Sequence, residues 1–126
     1  MSILRRCRGR CRNPRRCLQH LWFDTMYAGE GVEDSPIDAA LIRPHHPYTS
    51  GLLRSLPRLT PRRERLPSIP GRVPSPSEMP AGCRFMARCP HALPPCSEAQ
   101  TMTQIEPGRL ARCMRAVELS LPGAVA

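Results

Sequence analysis

Residues 82–96 read GCRFMARCPHALPPC, and the fourth thiol of the set follows at Cys113. Cys83, Cys89, Cys96 and Cys113 are separated by five, six and sixteen residues, with Gly82 directly before the first and Pro90 directly after the second. Four thiolates can hold one Zn²⁺ at about 2.3 Å, or each can bind one iron of a cubane cluster, which is wider and draws its ligands from more widely spaced loops. Structural zinc sites commonly use pairs separated by about two to four residues, and this set contains no such pair. The spacing favours a four-iron cluster and keeps zinc as its rival. Two blander readings stay open beside these. The four could be unrelated reduced thiols acting as small apolar residues, or two disulfides, which need an oxidising compartment for which the sequence carries no targeting signal.

The choice matters because the chain has little else to fold around. Its 126 residues include 16 Pro and 8 Gly but only five aromatics, too little for a large core. Around the thiols the large apolar residues are chiefly Phe85, Met86, Leu93, Ile105, Leu110 and Val117. A metal bound there would convert its binding free energy, of order 10 kcal/mol for structural zinc, into folding free energy. The expected fold class is a small irregular α+β unit. A short hairpin and two short helices lead through a Pro-rich connector to a loop-rich extension, stapled by metal at Cys83, Cys89, Cys96 and Cys113, and there is no complete nucleotide-binding domain.

Upstream of the thiols the pattern supplies boundaries. Residues 24–34, DTMYAGEGVED, predict a hairpin with Thr25–Tyr27 as one strand, a turn over Gly29–Gly31, and a return through Val32 and Glu33. In SPIDAALIRP, Ser35 suits a helix cap, Pro36 a first helical position and Asp38 the first turn, with Ile37 and Leu41 on one face and Pro44 as the stop. HPYTSGLLRSLP predicts a second helix begun by Pro47 and ended by Pro57, with Tyr48, Leu52 and Leu56 on one side beside Leu53. His45 and His46 read as capping or packing residues, and His91 as a residue outside the ligand set. Proline then recurs through 59–82, where lost amide donors exclude a helix or a central strand, leaving an extended connector that Leu66, Ile69 and Val73 could pin to a neighbouring surface. Segments 24–58, 59–82 and 83–117 follow, with 118–126 expected to fray.

Charge separates the first 23 residues from the rest. The net charge is +9, all 19 basic residues are Arg, and seven of them precede residue 20 with no acid among them. The remaining 12 Arg face 10 Asp plus Glu, so the body lacks a sustained basic face and no nucleic-acid partner is expected. Segment 1–23 also holds Cys7, Cys11 and Cys17, shows neither helical nor strand period, and is expected to be disordered. No apolar run of about 18 residues exists, so a membrane span is not predicted and a cytoplasmic location is expected. A P-loop, a dinucleotide-binding glycine loop and a nucleophile with a matching base are all missing from the sequence, so catalysis by this chain alone is not expected.

The strings MYAG (26–29), VED (32–34), RPHHPYTSGLLRSLPRL (43–59), LPSIPGRVP (66–74), PAGCRFMARCPHALPPC (80–96) and PGRLARC (107–113) resemble, in order and spacing, the carboxy-terminal region of the ATP-binding subunits of bacterial oligopeptide, dipeptide and nickel ABC importers. The resemblance implies that the MYAG strand lies at the end of a nucleotide-binding core and that the HPYT block opens an appended extension. Some members hold a [4Fe-4S] cluster through the extension's four cysteines, which implies Cys83, Cys89, Cys96 and Cys113 as ligands. It also implies ATP as a ligand of full-length relatives only. The implied partners are permease subunits and a paired ATP-binding subunit, and the implied place is the inner face of the cell membrane, bound peripherally. Segment 1–23 does not match, and a truncated or frameshifted gene, or a displaced start codon, is the expectation there. A free-standing four-cysteine metal module touching nucleic acid through its Arg-rich start is the alternative; it explains the charge and leaves the HPYT block unexplained.

Overall fold

A computed structural model describes residues 21–56 and 67–124. The Arg-rich start with Cys7, Cys11 and Cys17 falls outside these up to residue 20, as does the whole Pro57–Leu66 stretch.

The expected hairpin is present and longer than expected. Strand β1 (Trp22–Tyr27) pairs antiparallel with β2 (Glu30–Pro36). The boundary drawn after residue 23 is therefore too late, because Trp22 and Phe23 are paired with Pro36 and Ser35. The turn is made by Ala28 (φ 50°) and Gly29 (φ 80°), not by Gly29–Gly31; two consecutive left-handed residues match the twist of a two-residue hairpin. Gly31 lies inside β2, opposite Met26, and the register slips between Thr25 and Met26. That bulge leaves Val32 as the extra residue. It accounts for Val32 and Glu33 both being buried in sequence, which a regularly alternating strand with one wet face would not give.

Helix α1 (Ile37–Ile42) follows directly on β2. Ser35 does not cap it: Ser35 is fully buried in the strand and its Oγ has no partner among the described residues, while Asp38 Oδ1 accepts from the Ala39 amide at 2.9 Å. The strand simply runs one residue further than the cap assignment allows. Helix α2 (Pro47–Arg54) starts at the expected proline, and His46 caps it, its Nδ1 accepting from the Tyr48 amide at 3.0 Å. The buried side of α2 is Pro47, Thr49, Ser50 and Leu53, not the expected Tyr48–Leu52–Leu56 row; Leu56 is exposed beyond the helix end. Its small polar face is covered by the chain's last described turn, where Ser50 Oγ donates to the Pro122 carbonyl at 2.6 Å.

Two features of the carboxy-terminal half depart from the expectation of loops and a loose tail. Residues Thr103–Glu106 (β3) and Arg109–Ala111 (β4) form a hairpin through Pro107 and Gly108, and β4 pairs with β2, giving one four-stranded antiparallel sheet in the order β1-β2-β4-β3. The PGRLARC string is thus the turn and strand that knit the extension onto the first hairpin. Residues 118–124 do not fray. Leu121 is buried, and the Ala124 amide donates to the Leu41 carbonyl at 2.6 Å.

The apolar core is small: Tyr27, Val32 and Phe85 are buried, with Tyr48, Ile69, Cys83 and Cys89 packed around them. Tyr27 and Phe85 meet edge to face at 5.1 Å between centroids, and Tyr48 lies 4.8 and 5.3 Å from them, the geometry that aromatic quadrupoles favour. Ile69 pins the connector as expected, helped by Arg88, which donates to the Ile69 and Pro70 carbonyls at 2.9 and 2.8 Å. Val73 is exposed. The described residues are an α+β unit of one antiparallel sheet and two helices, without a complete nucleotide-binding domain. Among them no helix is long and apolar enough to cross a membrane.

Candidate functional site

Three stretches of chain deliver the four thiols to one place. Cys83 and Cys89 flank a 3₁₀ turn at Met86–Arg88, Cys96 sits in another at Pro94–Ser97, and Cys113 follows β4 by two residues. Short turns suit this job because each thiol must leave the backbone in its own direction, and prolines at 90, 94 and 95 restrict the alternatives. The loop closes on itself where the Cys83 amide donates to the Cys96 carbonyl at 2.9 Å. Gly82 allows that approach: a Cβ there would lie 2.4 Å from the Ser97 carbonyl and 2.5 Å from the Cys96 carbonyl oxygen.

Cys83, Cys89, Cys96 and Cys113 line a single narrow cavity of about 20 Å³, together with His46, Pro47, Phe85, Met86, His91, Arg115 and Leu119. All four are free thiols, so no disulfide pairs them. Cys96 is buried, receives the Leu93 amide at 3.5 Å from Sγ, and contacts Met114 Sδ at 3.8 Å. Burial pushes the thiols of Cys83, Cys89 and Cys113 above their usual range, with backbone amides pulling back and the other thiols of the set adding to the rise; Cys113 reaches about 11. Four acidic groups crowded in an apolar pocket disfavour thiolate charge, and a cation among them would reverse the preference.

Among the described residues no group of three or more His, Cys, Asp or Glu is arranged to hold a metal ion. The thiols share a cavity without being drawn to the spacing of one tetrahedral ion. The donor set is nonetheless the soft one that thiophilic metals and iron–sulfur clusters require, since the described residues of the lining include four thiols and no carboxylate.

Beside the thiols lies a polar network that residue types alone did not single out. Glu33 is completely buried, and its two carboxylate oxygens accept the His45 and His46 amides at 2.9 and 3.0 Å. Arg109 of β4 stands 3.6 Å from Glu33, 3.1 Å from Glu106, and donates to the Arg43 carbonyl. His45 Nδ1 lies 3.1 Å from the Ala116 carbonyl. One carboxylate of the first hairpin thus fixes the turn before α2, and α2 begins where the thiol cavity has His46 and Pro47 in its wall. The available signal was that VED, RPHHPYT and PGRLARC recur together in the resemblance. His45 and His46 serve as packing and capping groups, as read from the sequence, and His46 is held neutral, its pKa lowered to about 3 by burial.

Residues 32–96 match the family model described as the oligopeptide/dipeptide transporter, C-terminal region. The chain belongs to this family. The match takes in the HPYT block, Cys83, Cys89 and Cys96 and stops before Cys113. Among curated relatives, a peptide import ATP-binding protein of Brucella abortus is 48% identical over 88 residues, covering 70% of this chain and 26% of the relative. The oligopeptide transport ATP-binding protein OppD of Escherichia coli is 42% identical over 93 residues, 74% of this chain and 28% of the relative. AppD of Bacillus subtilis, also an oligopeptide transport ATP-binding protein, is 42% identical over 89 residues, 70% and 27%. The chain therefore spans about a quarter of the length of these relatives, and what it shares with them is the carboxy-terminal region of a peptide-importer ATP-binding subunit.

Proposed function

We propose that this region serves a di- or oligopeptide ABC importer as a metal-stapled extension, in which Cys83, Cys89, Cys96 and Cys113 hold a [4Fe-4S] cluster. The observation that carries the reading is the common cavity: thiols from three separate stretches line one pocket whose other walls are largely apolar. The group would supply the cohesion that the small aromatic core does not, because binding and folding of such a segment are one equilibrium. Full-length relatives would supply ATP binding and hydrolysis and the contacts to permease subunits on the inner face of the membrane. This chain, which lacks a P-loop sequence, hydrolyses no ATP alone.

Zinc is the second reading, and the cavity's small volume favours it: about 20 Å³ admits one ion or water, whereas a cubane needs the loops to stand further apart. Against zinc stand the wide ligand gaps; that no group of three or more donors is arranged for a metal ion among the described residues weighs on both readings alike. Anaerobic purification of the full chain, with an absorption spectrum and iron, sulfide and zinc analysis, decides between them. A broad band near 400 nm with about four irons per chain is expected; a colourless protein with one zinc selects the second reading. Neither metal in the purified chain overturns both.

A further inference from the structure

We propose that Arg115 is the counter-ion and positioning residue of the four-thiol centre, with Glu118 setting how much of its charge the centre feels. The inference rests on the metal reading above. Among the described residues lining the thiol cavity, Arg115 carries the only fixed positive charge. It follows Cys113 by two residues, its Nη1 donates to the His91 carbonyl at 2.7 Å, and its Nε donates to Glu118 Oε1 at 3.0 Å, with Nη2 on the same carboxylate. His91 lies between Cys89 and Cys96. A single guanidinium therefore ties the stretch bearing the fourth thiol to the loop bearing the second and third.

The electrostatic part follows from charge balance. A divalent ion in four thiolates, or an oxidised four-iron cluster in four thiolates, leaves two negative charges uncompensated, and one-electron reduction of the cluster adds a third. In an apolar cavity such charge needs a fixed cation nearby, and a planar fork already held at two edges supplies it without reorganising. Arg115 is mostly covered, at 19% exposure, whereas Glu118 is 59% exposed. Water therefore screens the carboxylate more than the guanidinium, and the centre sees net positive charge. A cation favours the more negative state, so removing it must weaken metal retention and lower the reduction potential; neutralising Glu118 must do the reverse.

The test uses the full chain, reconstituted anaerobically with ferrous iron and sulfide and, in parallel, with zinc. Arg115→Gln is expected to release metal to a competing chelator about tenfold more readily, and to lower the cluster midpoint by about 59 mV, the same factor for one electron. Arg115→Lys, which keeps the charge and loses the fork, should recover most of the potential and less of the retention. Glu118→Gln should raise the midpoint, and this exposed position keeps the test alive if Arg115→Gln fails to fold. Equal potentials and retention in wild type and Arg115→Gln, or shifts of the same sign in Arg115→Gln and Glu118→Gln, overturn the role of Arg115 and leave the metal reading standing. A wild-type chain that takes up neither iron nor zinc removes the metal reading, and this inference falls with it.

Discussion

The sheet with its two helices and the thiol loop solve the same problem by different means. In the first, a buried carboxylate is satisfied by two amides and an arginine, strands far apart in sequence are paired, Glu33 with Ala111 and Asp34 with Leu110, and α2 is capped by a histidine. In the second, residues 82–97 contain 3₁₀ turns and no strand, and besides Phe85 their inward groups are thiols, of which burial pushes Cys83 and Cys89 above their usual range. The first region is held by a hydrogen-bonded network centred on Glu33, although Thr25, Ser35 and Thr49 keep buried hydroxyls without a partner among the described residues. The second has a cavity where a core should be. Phe85, between Cys83 and Cys89 and packed on Tyr27 and Tyr48, is where they meet.

On the metal reading proposed above, the largest expected effect comes from taking the metal away. Cys89→Ser, or a chelator on the wild-type chain, should cost metal binding worth on the order of 10 kcal/mol. Protease sites within 83–97 should open while amides of β1 and β2 keep most of their protection in hydrogen exchange. A Cys89→Ser protein with full metal content and an intact protease pattern would sink the contrast between the regions.

The reverse experiment strikes the sheet. Glu33→Ala removes the acceptor of two amides and one of the partners of Arg109 at once, and loss of one member of a buried ion pair costs about 3–5 kcal/mol. Denaturant unfolding should show that loss, with the sheet and α2 opening together, because Glu33 fixes the His45–His46 turn from which α2 begins. A loss under about 1 kcal/mol would mean that the network is ornamental and that metal holds both regions.

How much of this was legible in the sequence depends on the range of the interactions. The hairpin and α2 were readable because their signals are local: glycines between two short strand-forming runs, and Pro47 at a first helical position. The buried face of α2 was not, because Thr49 and Ser50 are inside only by virtue of a tail some 70 residues away. Nor was the union of the two hairpins, since β4 is three residues long and carries Arg109 and Arg112 among its neighbours, so no period marks it as a central strand. Ser35 was misplaced because a serine before a proline looks like a cap whether or not the strand has ended. Of the candidate site, the four thiols were legible and their common cavity followed; Arg115 and Glu33 were not, since a lone charge in sequence reads as surface.

A smaller effect sharpens the junction of loop and strand. Gly82→Ala places a methyl 2.4 Å from backbone atoms of Ser97, and backbone cannot step aside as a side chain can, so a cost of about 1–3 kcal/mol is expected. Metal retention should fall, because the Cys83–Cys96 approach is what the methyl forces open. Thermal unfolding of loaded and metal-free chain distinguishes the regions: the substitution should lower the loaded transition more than the metal-free one.

The last contrast is in pH. His46 Nδ1 must be unprotonated to accept the Tyr48 amide, and burial holds its pKa at about 3 against an ordinary value of 6.5. The unfolded chain therefore binds a proton that the folded chain refuses between these values. Stability from this group is fully present above pH 6.5 and is lost as pH falls toward 3, at up to about 1.4 kcal/mol per unit. His46→Asn keeps a capping oxygen and removes the titration. Measured as the difference between the two proteins, so that effects common to both cancel, the wild-type advantage should shrink steadily from pH 6.5 to pH 4 and be flat above 7. A difference constant across that range would show that the cap tolerates a protonated ring, and that the start of α2 is set by Glu33 alone.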